Sequence, residues 1–318
     1  MRTRVESHML VIANKEAGST EPEAIERALE VLRAAAPAEL VYCESRDHLQ
    51  DCLDARAGRP VVVIGGDGSL HTTVSALYAR GELADCPVGL IPLGTGNDLA
   101  RGLDLPLDPA EAAEIVRSGS LRTMDLIADD NGGAVVNAVH VGAGAEAAQA
   151  ATPLKPRLGP LAFPLGAVLA GLRTKGWRLT VVVDGRTVAR PRRKTLMVGL
   201  ANAPSIAGGT ARLSPEAVPH DGQIDVVVSH SVGRMARLGY ALHLTRGRHT
   251  GRDDVVSLRG REVVVSGEEF FINADGEVTG PRRHCSWRVV PGAWRMYLPS
   301  GPPADPGAAA AAGDRRVG

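Results

Sequence analysis

Residues 61–101 contain two glycine turns, each at the end of a short apolar run, and no other stretch constrains the fold as much. Val61, Val62, Val63 and Ile64 lead into Gly65, Gly66, Asp67 and Gly68. Four β-branched residues closed by glycines predict a buried parallel strand. Leu70, Val74 and Leu77 then recur at helical spacing, which predicts a helix from about Ser69. The second piece repeats the first: Val88–Ile91 is apolar, Pro92–Gly96 is a turn, and Asn97 and Asp98 open a short helix. A strand feeding a glycine turn and a helix N-terminus is suited to an anion, because backbone N–H groups and the helix dipole both face it. On neighbouring strands, two such turns line one crevice at the C-terminal edge of the sheet.

The chemistry of the turns narrows further. No Gly-Lys-Ser/Thr follows the glycines, so this is not a P-loop, and the spacing is not that of a dinucleotide fingerprint. Asp67 repels a phosphate unless a divalent cation lies between them. Either turn alone is compatible with a solvated loop; the pair, each on an apolar strand, is far more specific.

G-G-D-G-S-L from Gly65 and P-L-G-T-G-N-D-L-A-R from Pro92 closely resemble the nucleotide-binding motifs of the diacylglycerol kinase catalytic family, which includes bacterial lipid kinases and sphingosine kinases. NAD kinases and phosphofructokinases share the first motif, but its partner points to the lipid kinases. The resemblance extends over residues 9–299.

Composition excludes several classes. The 318 residues can bury a sizeable core and are expected to form two domains. Thirty-six basic and 36 acidic residues cancel, so bulk electrostatics gives no reason to expect nucleic acid as a partner. The four cysteines form no C-x-x-C pair and read as reduced, buried residues. No run approaches the roughly 18 apolar residues of a membrane span, and the N-terminus has no apolar signal core. The expectation is a cytoplasmic protein that visits the membrane surface transiently, with a homodimer left open.

In chain order, Met9–Ala13 reads as a strand, and Thr20 with Glu23 as a capping box before an amphipathic helix (Ile25, Ala28, Leu29, Leu32). Leu40–Cys43 is a second strand, and a helix is expected over Pro109–Arg117. This alternation predicts an α/β domain over residues 1–124, doubly wound around a mostly parallel sheet, which the resemblance makes NAD kinase/phosphofructokinase-like. Beyond it strands dominate: Arg122–Ala128, Ala134–His140, Arg178–Val183, Thr195–Ala201, Gln223–Ser229, Glu262–Ser266 and Phe270–Ala274. Hairpin signals such as Asp184-Gly185 accompany them. Residues 125–291 are therefore expected to form an antiparallel β-sandwich domain, with helical insertions near 144–175 and Arg234–Thr245. The apolar segment Leu161–Leu172 is equally consistent with a lipid-facing and a core helix. The resemblance implies that a last strand from Trp294, within about 292–299, returns to the first domain. Residues 300–318 are low-complexity and read as a disordered tail.

The resemblance also implies a site. ATP and Mg²⁺ are expected in the interdomain cleft. The segment Asn14, Lys15, Glu16, Ala17 and Gly18 lies near the nucleotide, although Lys15 stands where the family usually has Pro. Glu44 occupies a position where the family often has a nucleotide-contacting Thr, with Ser45 beside it. Gly65, Gly66, Asp67, Gly68, Ser69, Leu70, His71 and Thr72 form the first phosphate loop, and Gly94, Thr95, Asn97 and Asp98 the second. Asp67 is expected to act through the metal. His71 replaces a common Asn, so its charge varies near neutral pH. A structural Mg²⁺ is implied on Asp221 and the carbonyls of Val218 and Gln223, with His220 in place of a second Asp; without the resemblance, Asp221-Gly222 is a hairpin turn. In I-N-A-D-G-E, Glu277 is the implied general base and Asp275 orients it or reaches Mg²⁺ through water. Gly208-Gly209 implies close backbone approach beside the cleft, and Gly142, Gly144 and Glu146 the acceptor side.

The activity implied is transfer of the γ-phosphate of ATP to a lipid hydroxyl, with diacylglycerol giving phosphatidate. Two rivals stand beside it: a soluble-substrate kinase of the NAD kinase type, and a non-catalytic lipid- or nucleotide-binding module.

Overall fold

A computed structural model describes residues 8–14, 22–146 and 175–300. Four parallel strands begin the chain: β1 (Met9–Asn14), β2 (Ala38–Cys43), β3 (Val61–Gly65) and β4 (Pro87–Pro92), in the spatial order β2-β1-β3-β4. The helices α1 (Pro22–Arg33), α2 (Arg46–Asp54), α3 (Asp67–Ala79), α4 (Asp98–Gly102) and α5 (Pro109–Ser118) lie between and after them. The strand β3 shows why the sheet is doubly wound. Val61 and Val63 pack with Leu49, Leu53, Leu70, Val74 and Leu77 of α2 and α3. Val62 and Ile64 pack with Ile25, Leu29, Ala112 and Val116 of α1 and α5 on the other face. All four side chains are fully buried, each worth about 1.5–3 kcal/mol of transfer free energy. A run with no polar alternate residue can satisfy only a strand covered on both sides.

From β5 (Ser120–Asp129) onward the pairing becomes antiparallel. The strands are β6 (Ala134–Val135), β7 (Ala138–Gly142), β8 (Leu179–Val183), β9 (Arg186–Ala189), β10 (Met197–Ala201), β11 (Ser205–Ile206), β12 (Ala211–Arg212), β13 (Ile224–Ser229), β14 (Val255–Gly260), β15 (Glu262–Ala274) and β16 (Glu277–Leu298), with α6 (Arg234–Thr245) after β13. A second core gathers Val139, Val141, Val181, Leu200, Val226, Phe270 and Trp287. The 22-residue β16 joins the two parts: it pairs with β15 near its start, and its end runs parallel to β4 through Arg295↔Pro87 and Met296↔Val88. The result is one hydrogen-bonded network of 14 strands, parallel in the first part and antiparallel in the second.

Several expected elements change extent. The helix α3 begins at Asp67, two residues before Ser69, because Gly66 in extended conformation already serves as N-cap. The runs Glu262–Ser266 and Phe270–Ala274 are one strand with a register shift between them. Gly267 allows it: its φ is +143°, and a Cβ there would lie 2.3 Å from the Arg178 carbonyl oxygen. The run Ala134–His140 is split at Val136-Asn137, whose amides turn to a carboxylate instead of a strand partner. The strands β9 and β14, which alternation did not single out, border the sheet. Lys15–Gly18, Thr20, the Leu161–Leu172 helix and residues 301–318 lie outside the described residues.

Candidate active site

The two glycine turns interlock. Leu93 N–H donates to the Gly65 carbonyl (3.0 Å), extending the β3–β4 ladder into the turns. A Cβ on Gly94 would lie 2.4 Å from the Gly66 Cα, so backbone meets backbone with no room for a side chain. Asn97, with φ +53°, closes the second turn on itself: its Oδ1 accepts from Gly94 N–H (3.0 Å), and its Nδ2 donates to Gly94 O (2.7 Å). Asp67 fastens the turns together, its carboxylate accepting from the N–H groups of Asp98 (2.9 Å) and Leu99 (3.1 Å) at the start of α4. A Cβ on Gly68, in contrast, would meet nothing within 4 Å. The N-terminus of α3, without a side-chain cap, thus opens to space, the arrangement that receives a phosphate.

Beside it is a cleft of about 230 Å³ lined by Asn14, Cys43, Glu44, Ser45, Arg46, Ser69, Thr72 and others. Thr72 Oγ1 donates to Gly68 O (2.9 Å), and Ser45 Oγ accepts from His48 N–H (3.0 Å) as the cap of α2. Glu44 and Thr95 are exposed. Leu70 is a core residue, 1% exposed, so only its backbone faces the turn. Gly65 ends the buried strand, where a Cβ would strike Ser69. A larger open hollow of about 660 Å³ lies elsewhere between the two parts, lined by Arg101, Leu107, Gly208, Gly209 and Arg212, and it includes neither Glu277 nor the first glycine turn.

Three acidic residues hold the two parts of the molecule against each other. Asp98 accepts from Gly208 N–H (2.9 Å) and Gly209 N–H (2.7 Å), in the turn between β11 and β12. Both glycines have positive φ, +71° and +76°, which lets two successive amides point at one carboxylate. Asp275 is the most closely held of the three. Its carboxylate accepts from the amides of Val136 (2.6 Å), Asn137 (2.9 Å) and Ala138 (2.9 Å), and Oδ2 meets His71 Nδ1 at 2.9 Å. Its side chain is 2% exposed. With three amides and an imidazole around it, it joins the two domains. Asp125, missed in the sequence reading, is 2% exposed and accepts from Gly222 (2.6 Å) and Gly292 (2.8 Å). Its signal was an acid inside the apolar run Met124–Ala128.

Burial and this crowding shift the titrations. Burial pushes the Asp67 carboxyl above its ordinary range, and the charge of Asp275 adds to the push, against the Asp98 and Leu99 amides. Burial raises Asp98 too, with Asp67 adding to it and the Gly208 and Gly209 amides opposing. For His71, burial disfavours the cation, but the hydrogen bond and charge of Asp275, with Glu277 beyond, outweigh it and raise the pKa.

Glu277 is placed differently. Asp275 (φ +47°) and Gly276 (φ +94°) form the two-residue hairpin turn between β15 and β16. Asp275 folds inward, and Glu277 emerges with its side chain 44% exposed, ion-paired to Arg46 of α2. Arg46, unremarked in the sequence reading, lines the 230 Å³ cleft, and through it Glu277 of the other domain is joined to that cleft.

Residues 8–128 match the family model of the diacylglycerol kinase catalytic domain, and residues 137–298 match the YegS C-terminal NAD kinase beta sandwich-like domain. The chain belongs to the diacylglycerol kinase catalytic family of lipid kinases. Over 258 residues it is 31% identical to the diacylglycerol kinase of Mycobacterium tuberculosis H37Rv, covering 76% of this chain and 79% of that one. The Bacillus subtilis diacylglycerol kinase is 28% identical over 224 residues, covering 69% and 71%. A crystal structure of a diacylglycerol kinase from Bacillus anthracis shares the fold at a TM-score of 0.70 and 18% identity, covering 94% of this chain and 99% of that one.

Membership in a kinase family implies ATP as phosphate donor, and the open N-terminus of α3 fits a phosphate. The donors near it also fit a hard cation: Asp67 contributes only oxygen, and a carboxylate has about four lone-pair sites, of which two amides use two. The Val218–Gln223 turn is less committed. Asp221 Oδ1 accepts from Gln223 N–H (2.9 Å), Val218 O accepts from His220 N–H (2.8 Å), and Arg259 Nη1 is 4.0 Å from Asp221 Oδ2. The turn offers oxygen donors of the right kind, with one carboxylate. Among the described residues no group of three His, Cys, Asp or Glu side chains converges as a metal cage. No described helix is long and apolar enough to cross a membrane.

Proposed function

We propose that this lipid kinase transfers the γ-phosphate of ATP to the hydroxyl of diacylglycerol, giving phosphatidate, with Glu277 as general base. The observation that carries the reading is that Glu277 of the second domain is ion-paired to Arg46, which lines the cleft beside the uncapped α3 N-terminus. In-line phosphoryl transfer needs an acceptor for the hydroxyl proton on one side and donors for the phosphate on the other. Glu277 is half-exposed and can turn to a substrate, whereas Asp275 is locked by three amides and His71. Arg46 is ion-paired to Glu277 at the edge of the first domain. The backbone amides at Gly68 and Ser69 bind phosphate oxygens, with Thr72 and Asn14 beside them. When bound, Mg²⁺ neutralises phosphate charge, and Asp67 is the carboxylate placed to hold it. Asp98 and Asp275 keep the two domains in register, so the base and the phosphate loop stay aligned. The names of the relatives in M. tuberculosis and B. subtilis support diacylglycerol as acceptor.

The test is transfer of labelled γ-phosphate from Mg²⁺-ATP to diacylglycerol, monoacylglycerol, ceramide, sphingosine and phosphatidylglycerol in mixed micelles, with NAD as a soluble acceptor. The expected result is labelled phosphatidate, reduced about 10²–10⁴-fold in Glu277→Gln, the usual worth of a general base. Label in another lipid, or in NAD, would replace diacylglycerol as the acceptor. Full turnover in Glu277→Gln would remove this residue as the base.

A further inference from the structure

The helix α6 stands on the surface of the second domain and turns its apolar side outward. Of its 12 residues only Tyr240 is buried. Tyr240 anchors it, donating to Met197 Sδ (3.4 Å) and meeting His249 edge-on with ring centroids 5.5 Å apart. Met235, Leu238 and Leu242 are 79%, 64% and 50% exposed. Their spacing of three and four residues puts them on one stripe, and at about 100° per residue that stripe lies opposite Tyr240. Large apolar side chains aligned on the solvent side of a helix are unlike the scattered exposed residues of an ordinary surface.

The helix and its flanks carry basic charge only, and beyond them Asp254 is paired with Arg252. From Ser231 to Arg252 the chain has no Asp or Glu. Arg234 at the start of the helix, and Arg246 and Arg248 just beyond its end, are exposed. An apolar stripe bordered by arginine is the pattern of a helix lying in the plane of an anionic membrane. A second copy of the chain fits less well. The helix is about 18 Å long at about 1.5 Å per residue. A strip of that length and side-chain width falls well short of the roughly 800 Å² per partner of a stable interface.

The helix also lies close to the machinery. Gly247, two residues past its end, packs against Arg212 and Pro215. Arg212 ends the β11–β12 hairpin whose turn supplies Gly208 and Gly209 to Asp98. The same hairpin lines the 660 Å³ hollow with Leu107 and Arg101. A surface held through α6 is thereby one hairpin away from the contact that aligns the domains.

We propose that α6 is the membrane-docking element, with Met235, Leu238 and Leu242 entering the interface of an anionic bilayer and Arg234, Arg246 and Arg248 facing lipid phosphates. The choice of a bilayer as occupant rests on the lipid-kinase reading; the binding itself is measured without turnover.

The experiment is flotation of the full chain with vesicles of phosphatidylcholine alone and of equal phosphatidylcholine and phosphatidylglycerol. The wild type is expected to float with the anionic vesicles and to be released by salt. Met235→Glu/Leu238→Glu/Leu242→Glu, and the milder triple Ser variant, are expected to weaken binding more than about tenfold at unchanged melting temperature. Arg234→Gln/Arg246→Gln/Arg248→Gln is expected to remove the preference for anionic vesicles, at about fivefold per arginine. Equal flotation of the wild type and both stripe variants would overturn the proposal. So would a wild type that ignores vesicles but self-associates through the stripe, which would make a second copy the occupant. If the wild type docks through α6 yet labels no lipid, the docking stands and the proposed reaction fails separately.

Discussion

His71 Nδ1 of α3 lies 2.9 Å from Asp275 Oδ2, joining the glycine-turn helix of one domain to the hairpin of the other across 204 residues of sequence. The resembling family commonly has Asn at this position. Here the joint can carry a proton, and its strength depends on pH.

The sign of that dependence follows from the raised pKa of His71. A group whose pKa is higher folded than unfolded contributes stability that is fully present below the unfolded value, about 6.5 for His. That contribution is lost as pH rises through the folded value. Urea unfolding at about pH 6 and about pH 9 is expected to show the wild type losing stability with rising pH through neutrality, and His71→Asn losing less. Parallel losses in the two proteins would show that the joint does not titrate. Asp67 and Asp98 are also raised, so their own contributions fall over a lower window, as pH climbs from their unfolded values near 4.

Asp98 is expected to be structural, since it joins the two domains. Asp98→Ala leaves the amides of Gly208 and Gly209 without their partner; Gly208 is half-buried and Gly209 exposed, so water takes up part of the loss and the cost is expected at about 1 kcal/mol. Chemical denaturation should register a loss of that order, with Asp98→Asn intermediate because it keeps an acceptor oxygen. A change below about 0.5 kcal/mol would mean that water replaces the carboxylate at no cost.

Two glycines separate fold from binding. Gly94→Ala puts a methyl group 2.4 Å from the Gly66 Cα, where only backbone can give way. It is expected to lower stability by about 1–3 kcal/mol and to abolish nucleotide binding. Gly68→Ala places its methyl in open space and should melt like the wild type while weakening ATP binding, because the methyl enters the phosphate site. Melting curves and calorimetric titration with ATP distinguish the two, and equal melting temperatures would contradict the interlock.

The Val218–Gln223 turn is tested without turnover. If Asp221 holds Mg²⁺, saturating metal raises the stability of the wild type by about 2.7 kcal/mol at a hundred times its dissociation constant, and Asp221→Asn loses the gain. An identical response of the two proteins would leave Asp221-Gly222 as a hairpin turn alone.

The candidate site was legible where it depends on local pattern. The glycine turns lie where strand, turn and helix signals meet, and Asn97 and Gly94 close their turn through residues three apart. Arg46 and Asp125 were not legible, because nothing near them in the chain marks their partners. Arg46 meets Glu277 across 231 residues, and Asp125 meets Gly292 across 167. The one local signal at Asp125, an acid among buried apolar neighbours, shows that a carboxylate is satisfied but not by what. Strand limits failed for a similar reason. The split at Val136-Asn137 depends on Asp275, 138 residues beyond Asn137.

The sequence by itself determined the parallel α/β half, the change to antiparallel strands, and the paired glycine turns at the ends of β3 and β4. Uniform burial of β3, helical spacing and the absence of Cβ atoms act over a few residues and are written locally. Only the tertiary structure decided how the acids divide their work. Asp275 and Glu277 differ by two positions in one motif, and the hairpin between them turns the first into three amides and an imidazole and the second out toward the cleft. Which carboxylate is buried and which stays available is set by the packing of β6 against α3 and by the amides that follow it, and no local propensity encodes it.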